Sequence, residues 1–166
     1  MRDEGAARIG SVNADKTTRF GIELAFGAQL TDQLSGRLAY TYQDFRFDGD
    51  TKYGNNTLAG TVPHTVNASL RYAFLPNFFV ETEVNWRPYG FYIDNGHALK
   101  SDGFATLGLR ANYDINDKYS VYGEVRNVTD EVYASSGLVV GDANPGQTAF
   151  LPGDGRSFIV GLKGKF

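Results

Sequence analysis

The chain has 166 residues, no cysteine, two histidines and a formal net charge of −3. That is about one domain's length, with no disulfide framework, no thiolate metal site and no basic footprint for nucleic acid. Ten tyrosines, twelve phenylalanines and twenty glycines suit a β protein with close strand contacts, and no apolar run approaches the ~18 residues of a membrane helix.

Residues 1–16 are polar and read as an N-terminal loop or tail, with Ser11 to Lys16 a candidate extension of the strand that follows. No apolar segment of the signal-peptide kind follows Met1-Arg2-Asp3-Glu4-Gly5. The expectation is a mature chain or a piece of something longer. Residues 17–166 then alternate in hydrophobicity with a period of two, the pattern of β-strands, whose successive side chains point to opposite faces.

The first predicted strand, Thr18 to Leu30, sets Phe20, Ile22, Leu24, Phe26, Ala28 and Leu30 against Gly21, Glu23, Ala25, Gly27 and Gln29. A second runs from Leu34 to Gln43 with Leu34, Gly36, Leu38, Tyr40 and Tyr42 on its apolar face. Phe45 and Phe47 fall on the opposite parity, which predicts a bulge or a departure from the sheet. Asp48 to Val62 reads as a long loop. The third strand sets Val66, Ala68, Leu70, Tyr72 and Phe74 against Thr65, Asn67, Ser69, Arg71 and Ala73. The fourth sets Phe78, Val80, Thr82, Val84 and Trp86 against Phe79, Glu81, Glu83, Asn85 and Arg87. After a second long connection, Gly90 to Gly103, the fifth carries Ala105, Leu107, Leu109, Ala111 and Tyr113. The sixth starts at Tyr119 and is expected to run to about Ala134. Ser135 to Gly155 is a third long connection, and the last strand is Arg156 to Phe166, with Phe158, Val160, Leu162, Gly164 and Phe166 on one face.

Short and long connections alternate strictly, and no segment sustains a helical period. The charged residues of both signs gather on the less apolar face, Glu23, Arg37, Arg71, Glu81, Glu83, Arg110, Glu124 and Arg126 among them. A soluble sandwich also alternates, and aromatic cross-strand pairs occur in soluble cores. Strand lengths near the ~9–11 residues of a tilted membrane strand, aromatics at strand ends, and short turns segregated from long loops favour a barrel in lipid. Mildly negative mean hydropathy does not separate the two, because a barrel strand shows lipid only half its residues. The fold expected is all-β: an antiparallel up-and-down transmembrane β-barrel segment of about seven strands. Seven strands leave two edges open in lipid, where unpaired backbone groups cost several kcal/mol each. Ala6 to Val12, poorly alternating, is the candidate for an eighth.

In order and spacing these motifs resemble the C-terminal part of the barrel of TonB-dependent outer-membrane receptors. Asn13-Ala14-Asp15-Lys16 with Gly21-Ile22-Glu23-Leu24 is similar to the family's Asn…Gly-Val-Glu strand start. Pro63-His64-Thr65 with Leu70-Arg71-Tyr72 resembles its Pro-x-His-Thr…Leu-x-Tyr strand, and Gly103-Phe104 through Leu107-Gly108-Leu109 to Tyr113 the next. Asn127-Val128-Thr129-Asp130-Glu131-Val132-Tyr133 is close to its Asn-Leu-Phe-Asp-x-x-Tyr motif, and Arg156 to Phe166 to its terminal strand.

The resemblance implies a transport-class receptor in the outer membrane of a Gram-negative bacterium, importing ferric siderophores or similar large nutrients. In such receptors a 22-stranded barrel holds an N-terminal plug, and the plug contacts TonB. This sequence carries neither the plug nor most of the strands, so it is expected not to transport alone. Its expected partners are outer-membrane lipid, the outer-membrane assembly machinery, the remaining strands and plug, TonB through that plug, and the ligand. Phe158, Val160, Leu162 and Phe166 are the expected C-terminal assembly signal. The rival readings are a stand-alone small outer-membrane barrel and a soluble β-sandwich binding module.

No catalytic constellation stands out, and no cofactor is expected. Glu81 and Glu83, on one strand face, more simply pair with Arg71, Arg87 or Arg110 than act as paired carboxylates. His64 is expected to bond locally. Candidate ligand contacts lie at the long-loop end: Tyr53, Trp86, Arg87, Tyr89, Phe91, Tyr92, His97, Lys100 and Arg156. Aromatics with cations suit an anionic, ring-bearing chelate, by stacking and charge attraction. The alternative is that Trp86, Tyr89, Phe91 and Tyr92 are girdle residues under merely solvated loops.

Overall fold

A computed structural model describes residues 16–144, 146 and 150–165. Nine strands follow in chain order among these: β1 (Thr17–Gln29), β2 (Leu34–Phe47), β3 (His64–Leu75), β4 (Phe78–Arg87), β5 (Phe104–Asp114), β6 (Tyr119–Arg126), β7 (Ala134–Gly137), β8 (Phe150–Pro152) and β9 (Ser157–Gly164). The described residues contain no helix. Seven strands form one antiparallel meander in the order β1-β2-β3-β4-β5-β6-β9, and β7 and β8 form a separate hairpin. The seven-stranded sheet does not close on itself, because β1 and β9 are its edges.

Register turns the sequence alternation into two faces. Leu70, Thr82, Leu109, Val125 and Phe158 form one transverse row, and Tyr72, Val80, Ala111, Gly123 and Val160 another. On this apolar face large side chains stand uncovered, including Phe26 at 64% and Val160 at 82% exposure. The other face is polar. Its central row reads Gln29, Ser35, Arg71, Glu81, Arg110, Glu124, so that four adjacent strands alternate in sign. Arg71 meets Glu81 at 2.6 Å, and Glu124 pairs along its own strand with Arg126 at 2.5 Å. Arg110 lies 5.3 Å from the centre of the Tyr122 ring. That ring in turn covers Gly161 of β9, where an added Cβ would fall 2.4 Å from it. A side chain at 161 would have to displace that ring, so glycine is favoured there by a close approach rather than by a turn.

Short turns lie at one end. Thr31 Oγ1 accepts the N–H groups of Gln33 and Leu34, and Asn116 Oδ1 those of Lys118 and Tyr119. These side chains add acceptors to those of the tight backbone. At the other end lie the connections 48–63, 88–103 and 127–156.

Three expectations are corrected. First, β2 runs without a bulge to Phe47, which pairs with Thr17. Phe45 and Phe47 keep their parity and lie on the polar face, because there the loops cover it: Phe47 is 4% exposed and packs on Tyr53, ring centres 5.1 Å apart. The irregularity lies instead in β3, between Ala73 and Leu75. Second, β6 stops at Arg126, because Asn127 adopts a left-handed φ of 49°. Third, the last long connection contains the β7–β8 hairpin. The proposed strand 6–12 lies outside the described residues, as does Phe166.

Candidate ligand-binding site at the long-loop end

The best-buried side chains are in the loops, not the sheet. Ile93 and Asp94, both 0% exposed, lie in the 88–103 loop. Phe91 and Ile93 pack with Val62 of the 48–63 loop, Leu99 of their own, and Ala143 and Phe150 of the 127–156 loop. The neck of the middle loop is tight. An added Cβ at Gly90 would fall 1.7 Å from the Ser101 carbonyl oxygen, while Phe91 and Ser101 exchange hydrogen bonds of 2.9 and 3.0 Å.

A buried carboxylate must be hydrogen-bonded or it is costly. Asp94 accepts the backbone N–H of Ala98 at 3.0 Å and of Leu99 at 2.9 Å, and that of Ala143 from the neighbouring loop. Burial by itself would raise its pKa. The three N–H donors, with His97 nearby, outweigh burial and hold it below the ordinary aspartate range. Asn95 works toward the opposite side: its carbonyl oxygen accepts Asn56 Nδ2 at 2.8 Å, and its Oδ1 the N–H of Ala59 at 3.0 Å.

Above this core three of the sequence candidates come together. His97 stacks on Tyr92 with ring centres 3.8 Å apart and planes 6° from parallel. Lys100 Nζ lies 5.1 Å from the Tyr92 ring centre. His97 has φ 62°, and its Nε2 donates to the Thr57 carbonyl at 2.8 Å, which fixes the tautomer with hydrogen on Nε2. The result is a stacked aromatic pair with a cation over the Tyr92 ring, suited to an anionic group.

The other candidates are placed elsewhere. Tyr53 packs on Phe47 beneath Lys52, which is ion-paired with Asp142 of the 127–156 loop. Trp86 stands on the apolar face, 47% exposed, in register with Val66 and Ala105. Tyr89 is exposed beside His64, which bonds locally to the Tyr40 hydroxyl at 2.9 Å. Phe91 is core. Arg87 lies 5.3 Å from the Phe104 ring centre and donates to the Ser135 carbonyl at 3.0 Å.

Arg156 belongs to a clasp at the base of the last loop. Its backbone N–H donates to Asp130 Oδ1 at 2.9 Å, and its guanidinium reaches the Val128 carbonyl and Asp130 at 3.4 Å. Asn127, 5% exposed, donates from Nδ2 to the carbonyls of Glu131 and Asp154 and accepts the Glu131 N–H on Oδ1. Tyr133 packs against Phe104 at 4.1 Å and leaves no space for a side chain at residue 153. The Asn127-to-Tyr133 motif thus joins the end of β6 to the start of β9. Beside it a recess of about 470 Å³ opens on the polar face between Glu83, Asn85, Arg110, Arg126 and Asp154. Sequence reading missed Asp94, Asn95 and the clasp role of Asn127. The usable signal was Ile93, an aliphatic placed directly ahead of the turn-forming Asp94-Asn95-Gly96.

The sequence profile of the family described as TonB dependent receptor-like, beta-barrel matches residues 3–128. No curated protein is significantly similar in sequence. Among solved structures, the siderophore receptor PiuA from Acinetobacter baumannii superposes with a TM-score of 0.77 at 18% identity, covering 90% of this chain and 22% of that one. The copper transporter OprC gives 0.73 at 19%, covering 90% and 24%. The ferric yersiniabactin uptake receptor FyuA from Yersinia pestis gives 0.74 at 19%, covering 90% and 23%. The chain thus spans under a quarter of the length of these structures.

Proposed function

This chain belongs to the TonB-dependent receptor β-barrel family, and on that premise we propose that it forms the C-terminal sector of the barrel of an outer-membrane receptor. The receptor imports a ferric siderophore or a similar large nutrient across the outer membrane of a Gram-negative bacterium. The observation that carries this reading is the opposition of the two sheet faces. One exposes Phe20, Leu24, Phe26, Leu70, Phe158 and Val160, and the other carries Arg71, Glu81, Arg110 and Glu124. Water wets the second and lipid covers the first.

In this reading residues 17–166 are wall, and transport needs the rest of the barrel, the plug and, through the plug, TonB. The long loops face outside, where Tyr92, His97 and Lys100 contact the ligand. Trp86 and Tyr89 lie in the lipid-facing girdle, while Arg87, Phe91 and Arg156 hold the loops. On β9, Phe158, Val160 and Leu162 present the apolar edge that the assembly machinery reads, together with Phe166.

The test is uptake. Deleting the gene that encodes this chain in iron-starved cells should abolish uptake of at least one ferric siderophore from a chemically varied panel, and restoring it should bring uptake back. Unchanged uptake of the whole panel would overturn the siderophore reading.

A further inference from the structure

The segment Tyr92–His97 reaches both neighbouring loops through hydrogen bonds made by backbone or by a buried or half-buried side chain. Toward the 48–63 loop, the Tyr92 carbonyl accepts the Gly60 N–H at 2.7 Å, Asn95 holds Asn56 and Ala59, and His97 holds Thr57. Toward the 127–156 loop, the Ile93 carbonyl accepts the Val140 N–H at 2.9 Å, Asn95 N–H donates to the Gly141 carbonyl at 3.0 Å, and Asp94 takes the Ala143 N–H. The outer loops also meet directly through Lys52 and Asp142. All three contribute to the Ile93 core.

We infer that the three long loops are one cooperative unit, opening together or not at all, with Asp94 and Asn95 as the positioning residues that hold the Tyr92–His97 platform in its stacked form. A loop that closes on a ligand must be able to leave its resting contacts at little cost, and such segments are drawn from the least stable parts of a fold. This unit is the opposite case. Releasing the middle loop orphans N–H groups in both outer loops, releasing either outer loop strips hydrogen-bond partners from the middle one, and each release uncovers Ile93. In the receptor proposed above, on which this role rests, it acts as a fixed wall against which a ligand is docked. The inference stands on the loop contacts alone and does not depend on which nutrient is carried.

The experiment is amide hydrogen exchange on the intact receptor in detergent micelles, without ligand, for the wild type, Asp94→Ala and Asn95→Ala. The hydrogen bonds of the Asp94 side chain go to its own loop and to residue 143, and none goes to the 48–63 loop. Cooperative opening predicts that Asp94→Ala accelerates exchange about tenfold or more not only at Leu99 and Ala143 but also at Ala59 and Gly60. Asn95→Ala should likewise accelerate Val140. The His97 ring protons, shifted upfield by the Tyr92 face, should lose that shift in Asp94→Ala. Acceleration confined to the amides that each side chain touches, or a His97 signal unmoved by Asp94→Ala, would show independent loops and overturn the inference. If Asp94→Ala does not fold, Asn95→Ala and the milder Asp94→Asn carry the same comparison.

Discussion

Two adjacent residues of β3 separate the lipid-facing reading from any other. Leu70 stands on the apolar face, 43% exposed, near the middle of the strand, and Ser69 on the polar face beside it. An arginine at the bilayer midplane of a barrel costs about 2–4 kcal/mol. Losing the exposed half of a leucine from lipid adds about 1 kcal/mol, so Leu70→Arg should cost roughly 3–5 kcal/mol. Ser69→Arg puts the same side chain in register between Arg37 and Glu83. One neighbour repels it and the other attracts it, each by about 0.2–1 kcal/mol, so the net change should stay within about 1 kcal/mol. The assay is urea unfolding of the intact receptor from lipid vesicles, with the folded fraction read from the mobility of unboiled samples on a gel. If Ser69→Arg cost as much as Leu70→Arg, the assignment of the two faces would be wrong.

Three further outcomes follow from the loop end. Asp94 has a folded pKa below its unfolded one, so its contribution is complete above the unfolded value and is lost as pH falls through the folded one. Protection of the 88–103 loop should therefore be flat from neutral pH down to about pH 5 and fall only below the ordinary aspartate range; a decline already at pH 6 would contradict this. Phe91→Ala should destabilise the loop core by about 3–5 kcal/mol, read as faster proteolysis within 88–103, and wild-type resistance would remove Phe91 from that core. Asn127→Ala should loosen the clasp more than Asn127→Gly. Both lose the three side-chain hydrogen bonds, but only alanine must also take the left-handed φ of 49°, at about 1–2 kcal/mol; thermal unfolding of the two variants gives the order.

The strands were legible because period-two alternation is written locally. Phe20 to Leu30 and Ala105 to Tyr113 need no partner to be read. The same habit misled at Phe45 and Phe47, where apolar character was equated with the apolar face. The rule holds only at the depth where the polar face is wet, and at the loop end a second core covers that face and accepts aromatics. The loop core was illegible for a related reason. Asp94 takes one of its N–H donors from residue 143 and Asn95 is held by Asn56, contacts about fifty residues ahead and about forty behind, with no repeating period between them. Among the ligand candidates, residue type picked out Tyr92, His97 and Lys100, which the fold brings side by side. It could not tell them from Phe91, an aromatic of the same loop that points into the core.

The row Arg71, Glu81, Arg110, Glu124 has a consequence for anything that moves past it. Strands lie about 4.8 Å apart, so the charge pattern repeats every ~9.6 Å across the wall. The potential above a periodic row of zero net charge decays with a length equal to the period divided by 2π, here about 1.5 Å. At roughly 5 Å from the charges only a few per cent remains. Through two layers of water these four charges contribute little, and in contact they form a strip of alternating donors and acceptors. A solute senses this row only on touching it.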